Sequence, residues 1–348
     1  MQNGISIYAG LDYDHEANLS LIDTAAALGF KRLFTSVQIP ETSAAETFQE
    51  DLEDILATAV INGFEIILDV NATNFAHYDM DGITLRLDDG FTAEQVAELS
   101  HKRKIQLNAS TVTEELLDSL LELKANVNNI SALHNFYPHP WTGLDTYFFD
   151  NQNRLLHDVG IEVGAFVPSK EGKRRLPLRE GLPTLEDCRN FSTDLSARFL
   201  VALGVDFIII GDGQPTQEEL QAVASIQSDE VIFQAELLSN DLITTEILSR
   251  TFTRRADIAK SVIRAVEGRQ YLKETGGNIP PEEPSIQRSF GDVTIDNENF
   301  GRYSGEVQII QDVLPADGRV NIAAHILDEE IFLTGYLKPR QRFSFKFI

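Results

Sequence analysis

The residues best placed for chemistry in this sequence are carboxylates and amides that close short apolar runs. Asp69 follows Ile66-Ile67-Leu68, Asp88 follows Ile83-Thr84-Leu85-Arg86-Leu87, and Asn108 closes Ile105-Gln106-Leu107. His134, Asn135 and Tyr137 come after Ser131-Ala132-Leu133, Asp212 after Ile208-Ile209-Ile210-Gly211, and Glu236 after Val231-Ile232-Phe233-Gln234-Ala235. Asp12 and Glu41 are weaker candidates of the same kind. Carboxylates converging on one site suit general acid/base work, because like charges push one pKa upward. Oxygen ligands of this kind also suit a divalent cation. However, no two histidines fall at metal-ligand spacing on one element, so neither a metal nor another cofactor is expected. No lysine closes any of these runs, which argues against a Schiff base. The lone cysteine, Cys188, lies in the acidic stretch Glu186-Asp187-Cys188-Arg189 and reads as a packing residue rather than a nucleophile.

One basic cluster stands against an acidic background. Lys170, Lys173, Arg174, Arg175 and Arg179 fall within ten positions, and Pro177 and Gly181 stiffen and bend the chain beside Arg175 and Arg179. Those two arginines are expected to grip an anion, since guanidinium binds phosphate in bidentate fashion. The segment runs on through Glu186 and is long enough to act as a lid. Aromatic residues gather at Phe136, Tyr137 and Trp141, the last being the only tryptophan, and such faces suit the apolar faces of sugars.

The elements that must position these residues alternate along the chain. Strands are predicted at 5–11, 32–39, 65–70, 83–87, 104–108, 129–133, 162–167 and 206–210, several of them continuously apolar, as strands buried on both faces are. Amphipathic helical patterns lie between them, at 18–28, 45–61, 113–123, 147–159 and 194–203. Gly29, Gly63, Gly160 and Gly204 punctuate helix ends. Thr92 and Thr113 mark helix starts. Eight strand-plus-helix units in about 225 residues predict an α/β fold with a (β/α)8 barrel, whose active site lies at the C-terminal ends of the strands. The rival, a doubly wound sheet, wants a glycine-rich turn after the first strand, and Ala9-Gly10-Leu11-Asp12 is not one. The barrel is predicted over 1–237, a helical connection and linker over 238–285, and a small all-β module over 286–348. Within the connection, helices are expected at 244–249 and 255–268. Within the module, strands are expected at 292–295, 306–310, 320–326, 331–337 and 343–347.

Composition narrows the partners. The 348 residues include 54 acidic and 29 basic side chains, a net charge of −25. Such a balance disfavours nucleic acid and anionic membrane surfaces. Hydrophobic residues make up 43%, which rules out a disordered chain. No apolar run approaches a membrane span, and the N-terminal residues lack the pattern of a signal peptide, so a cytoplasmic protein is expected.

Several of these stretches occur together in one family. They include Ile5-Ser6-Ile7-Tyr8, Phe34-Thr35-Ser36 with Ile39-Pro40-Glu41, and Leu107-Asn108-Ala109-Ser110-Thr111. His134-Asn135-Phe136-Tyr137-Pro138, Thr142-Gly143-Leu144, Gly181-Leu182-Pro183-Thr184-Leu185-Glu186 and Ile210-Gly211-Asp212 belong to the same set. In the tail come Thr294-Ile295-Asp296-Asn297 and Gly301-Arg302-Tyr303-Ser304-Gly305-Glu306. On these the chain resembles the bacterial 6-phospho-N-acetylmuramidase family over its whole length. The resemblance implies a TIM barrel followed by a cyclophilin-like β domain. It also implies cytoplasmic hydrolysis of the disaccharide of N-acetylmuramic acid 6-phosphate and N-acetylglucosamine during cell-wall recycling. Carried over, the family's strand-end positions are Asp69, Asp88, Asn108, His134, Asn135, Tyr137, Asp212 and Glu236. The acid/base pair is then expected among the four carboxylates, with Asn108, His134, Asn135 and Tyr137 orienting substrate.

Two stretches depart from the family pattern. Gln38 stands where many relatives carry a histidine before Ile-Pro, and Thr251-Phe252-Thr253 replaces a pattern with His and Asn before the arginine. The β module is expected to close over or buttress the barrel. Arg302, between Gly301 and Gly305, is expected at the substrate, with an ion pair to Glu298 as the plainer alternative. The rival function is a non-catalytic phosphosugar-binding or surface protein, which the missing export pattern disfavours. Retention or inversion, participation of the N-acetyl group and oligomeric state stay open.

Overall fold

Alternation of buried strands and capped helices closes the first part of the chain on itself. A computed structural model describes residues 1–11, 13–39, 47–78, 80, 82–88 and 90–348. Asp12 and Glu41, and the first residues of the helix expected at 45–61, lie outside the described residues. Eight parallel strands form a closed barrel in chain order: β1 Gly4–Ser6, β2 Arg32–Ser36, β3 Glu65–Val70, β4 Ile83–Leu87, β5 Ile105–Asn108, β6 Ile130–Leu133, β7 Glu162–Val167 and β8 Phe207–Ile210. β1 closes the ring on β8, with Gly4 opposite Ile209 and Ile5 opposite Ile210.

Side-chain caps start the helices where the sequence signals them. α1 (His15–Ala27) begins with Asp14 accepting the Ala17 N–H at 3.0 Å. After α2 (Phe48–Ile61), α3 (Ala93–Lys102) opens with a reciprocal box between Thr92 and Gln95. Thr113 caps α4 (Glu114–Glu122) and Asp145 caps α5 (Thr146–Asp158). α6 is Thr193–Ala202, and α7 (Gln217–Ala224) opens with a second box, Thr216 with Glu219.

The barrel interior is filled by Phe34, Ile67, Leu133, Phe166 and Ile209, with Tyr8 and Leu182 packed on the same cluster. Strand side chains repeat every second residue. Two residues beyond Phe34, Ile67 and Leu133, the same direction therefore carries Ser36, Asp69 and Asn135. The packed core thus sets the direction of the polar residues at the strand ends.

Residues Met1–Leu200 with Gly204–Ser228 form one compact unit, and Val201–Leu203 with Asp229–Ile348 the other. The second holds a seven-stranded sheet made of β9 (Glu230–Leu237), β10 (Phe252–Thr253), β11 (Val262–Arg264), β12 (Asp292–Asp296), β13 (Val307–Ile310), β14 (Val320–Ile326) and β15 (Arg342–Phe347). Their order is β10-β15-β9-β14-β12-β13-β11. All pairs are antiparallel except β9 with β15. Two short helices, α8 (Leu242–Leu248) and α9 (Gly268–Thr275), interrupt it.

Three expectations are corrected here. Residues 230–237 are not an appendage of the barrel but an interior strand of the second sheet, and the supposed connection supplies two more of its strands. The second unit accordingly takes in everything from Asp229 onward together with Val201–Leu203, well before 286. The helix expected over 255–268 is replaced by β11, because pairing with β13 and burial of Ile263 outweigh a weak local preference. The strand expected over 331–337 is instead part of the 3₁₀ segment Asp328–Gly335. It opens with three acids, and the buried Glu330 carboxylate accepts the Gln234 N–H at 2.8 Å. Among the described residues, no helix is long and apolar enough to cross a membrane.

Candidate functional site

Register places Ser36, Asp69 and Arg86 side by side on β2, β3 and β4. Asp69 accepts the Ser36 hydroxyl at 2.9 Å through one carboxylate oxygen and the Arg86 Nη1 at 2.7 Å through the other. The same Nη1 donates to Asp88 at 3.2 Å, so one guanidinium nitrogen is shared by two carboxylates. Those two oxygens are therefore no more than about 6 Å apart. Nη2 of Arg86 donates to the Asn135 side-chain oxygen. Asn108 donates to Asp88 at 3.1 Å and accepts the Ser110 N–H, also at 3.1 Å. Asp69 is buried whereas Asp88 faces solvent. Burial pushes the Asp69 carboxyl above its ordinary value, and the neighbouring Asp88 charge adds to this, against the opposing pull of Arg86 and Ser36. A carboxyl pushed upward by burial beside a more accessible one is the asymmetry that acid/base chemistry draws on.

The other expected acids do different work. Asp212 is 0% exposed and accepts three backbone N–H groups, from Ser169 at 2.9 Å, Arg175 at 3.0 Å and Leu182 at 3.3 Å. It is a clasp for the loop after β7, with little left to offer a substrate. Glu219 completes the clasp by accepting the Ser169 hydroxyl at 2.7 Å, the Thr193 hydroxyl at 2.6 Å and the N–H groups of Lys170 and Glu171. Glu236 belongs to no barrel strand. It is exposed on β9 of the second sheet, opposite His325 of β14.

His134 differs from the expectation as well. Its ring is 0% exposed, with Nδ1 3.2 Å from the Ser110 hydroxyl and Nε2 2.9 Å from the Asn153 side-chain oxygen. Ser110 in turn accepts the Asn135 N–H at 2.9 Å. Both ring nitrogens are occupied inside the protein, so His134 orients Asn135 from below and has no nitrogen free for substrate. Asn135 and Tyr137 are half-buried at the strand-six end, where Tyr137 donates its N–H to the Pro183 carbonyl.

Of the basic cluster, Arg175 alone is buried. Its guanidinium carbon lies 5.1 Å from the Tyr8 ring centre and 4.9 Å from that of Phe136. Among the described residues, neither Nε nor Nη1 meets a hydrogen-bond partner. A buried cation with unsatisfied donors is costly unless an anion arrives. Arg179 is exposed, with its backbone in the left-handed region at φ 59°. Arg302, in the second unit, is also exposed and donates to the Tyr303 hydroxyl at 2.8 Å. Glu298 accepts instead from the Asn278 amide.

Sequence reasoning passed over Arg86 and Glu219 as functional candidates. Glu219 carried a signal, the Thr216-x-x-Glu219 capping pattern. Arg86 carried the weaker one of a charged residue inside a barrel strand. Among the described residues, no group of three or more His, Cys, Asp or Glu is placed to hold a metal ion.

A closed (β/α)8 barrel with a carboxylate pair held at its mouth is the architecture of a barrel hydrolase. The chain belongs to the 6-phospho-N-acetylmuramidase family: the model of the family's N-terminal part matches residues 3–225 and that of its C-terminal part residues 215–346. It is therefore a glycosidase, and its substrate a sugar. Among solved structures, an uncharacterized B. cereus protein is 29% identical, with 99% of each chain covered and a TM-score of 0.86. A conserved Enterococcus faecalis protein of unknown function is 32% identical, with 100% of this chain and 96% of that one covered and a TM-score of 0.68. No curated protein matches the chain.

Proposed function

We propose that this glycosidase hydrolyses the disaccharide of N-acetylmuramic acid 6-phosphate and N-acetylglucosamine, in the cytoplasm, as a step of cell-wall recycling. Asp69 and Asp88 form the acid/base pair, and Asp69 gives its proton to the departing sugar oxygen. Asp88, the more accessible partner, acts as base or nucleophile. The observation that carries this reading is the Arg86 nitrogen shared between the two acids at the barrel mouth. Nearest oxygens no more than about 6 Å apart favour a retaining geometry, in which the carboxyl groups stand roughly 5–5.5 Å apart. Arg175 takes the 6-phosphate, because its buried donors are unsatisfied and the family name specifies a phosphosugar. Asn108, Asn135 and Tyr137 line the approach, while Asp212 and Glu219 hold the loop that carries Arg175.

The test compares purified protein on the phosphorylated disaccharide and on the same disaccharide without phosphate, with the product anomer read by NMR. A strong preference for the phosphorylated form, lost in Arg175→Met through a KM raised about 10–100-fold, is expected. Equal efficiency on both substrates would refute the phosphate reading, and an inverted product would refute the assignment of the pair.

A further inference from the structure

The only tryptophan of the chain is also among its most exposed large side chains. Trp141 is 85% exposed, and its backbone is held in the left-handed region at φ 69°. For a bulky residue that conformation costs on the order of 1–2 kcal/mol, and it persists only where the surroundings over-determine it. They do so here. The two Glu186 oxygens accept the N–H groups of Trp141 at 2.8 Å and Gly143 at 2.7 Å. Arg189, itself buried, grips Glu186 with Nε at 2.6 Å and Nη2 at 2.8 Å. Arg189 also donates to the carbonyls of Tyr137 at 2.9 Å and His139 at 3.2 Å. Burial works against the Glu186 charge, but Arg189 and the two N–H groups outweigh it and hold the carboxyl below its ordinary value. Gly143 is needed for the approach, since a Cβ there would lie 2.6 Å from a Glu186 oxygen.

Two loops, those following β6 and β7, are thus locked together, and the outcome is an indole displayed to solvent. Trp141 lies on the same loop as Asn135 and Tyr137, on the catalytic side of the barrel. Tyr147 and Phe148 are exposed in the first turn of α5 shortly after it. We propose that Trp141 is an outer sugar subsite, on which a pyranose ring of a neutral amino sugar stacks its apolar face. A neutral ring is favoured because the displayed indole offers an apolar face and one N–H donor but no charge. This inference rests on the glycosidase reading above and adds a position beyond the bond that is cut.

Because there is one tryptophan, intrinsic fluorescence reports on this position alone. N,N′-Diacetylchitobiose (chitobiose below), a neutral amino-sugar disaccharide, is titrated into the Asp69→Asn protein while emission and acrylamide quenching are followed. A blue shift with reduced quenching is expected, as is loss of the calorimetric binding signal in the Trp141→Ala form. In otherwise wild-type protein, Trp141→Ala should raise KM for the phosphorylated disaccharide about 5–10-fold with kcat nearly unchanged, and Trp141→Phe should recover most of it. Unaltered emission and quenching under saturating chitobiose, or no chitobiose binding at all, would overturn the proposal. So would an unchanged KM in Trp141→Ala. If instead the wild-type protein cleaves no phosphorylated disaccharide while chitobiose still shifts the emission, the substrate reading fails and the subsite stands.

Discussion

His134 offers the sharpest measurable consequence of the buried polar network. Its Nε2 lies against the Asn153 oxygen and its Nδ1 against the Ser110 hydroxyl, an arrangement that suits the neutral ring with the proton on Nε2. Burial drives its pKa from the ordinary 6.5 down to about 4, with the Arg86 charge adding to the shift against the Asn153 hydrogen bond. The sign follows directly. Between those two pH values the unfolded chain takes up a proton that the folded ring refuses, so stability is fully present above 6.5 and falls as the pH drops towards 4. A depression of that size is worth about 3 kcal/mol. Glutamine in place of His134 cannot titrate. His134→Gln is expected to be less stable than the wild type near neutrality, by about 1–3 kcal/mol for the disturbed hydrogen bonds, yet to lose about 3 kcal/mol less on acidification. Urea unfolding of both proteins at a series of pH values reads the difference, and contributions common to both cancel. Parallel stability curves over the acid range would show that the buried ring is not the source, and the tautomer argument would fall with it.

Asp69→Asn and Asp88→Asn should each lower kcat about a hundred- to ten-thousand-fold with the fold intact by circular dichroism, while Glu236→Gln retains normal turnover; a silent Asp69 or Asp88 variant would remove the pair. Arg86→Met strips the guanidinium that holds the Asp69 pKa down, so the limb of the pH–rate profile belonging to the acid should move to higher pH, and stability should fall by about 3–5 kcal/mol. An unmoved limb would mean that Asp69 is not the titrating group. Asp212→Asn turns an amide towards backbone N–H groups that need an acceptor, so thermal stability should drop and KM rise, with kcat changing least. A large fall in kcat with unchanged KM would return Asp212 to the chemistry.

The barrel was legible because its signals are local. Continuous apolar runs such as Phe207–Ile210 and helix caps such as Thr92 and Thr113 act within a few residues of themselves. The second unit was less legible because its sheet is made of distant pairings. β9 lies between β14 and β15, about ninety or more residues away in sequence, and nothing within 231–236 distinguishes it from a ninth barrel element. β11 is three residues long and exists only against β13. At the mouth, position was legible and role was not. Asp69, Asp88, Asp212 and His134 all follow apolar runs, yet strand-end placement does not reveal what each side chain meets once the loops close.

What separates those roles is the number and kind of donors aimed at each group. A carboxylate has about four lone-pair sites. Asp212 spends three of them on the backbone N–H groups of Ser169, Arg175 and Leu182, so the loop it organises depends on its oxygens as acceptors. Asp69 is bound by a hydroxyl and a guanidinium nitrogen, and that nitrogen is already divided between two acids. On the proposed reading, a donor shared in this way follows the charge: when Asp69 gives up its proton, the guanidinium strengthens its hold there. Arg86 therefore bridges the two carboxylates through one nitrogen. The rigid anchors, Asp212, Glu219 and His134, keep that bridge aligned. On the proposed reading, the groups whose partners are fully occupied hold the mouth in place, and the pair with a divided partner carries the chemistry.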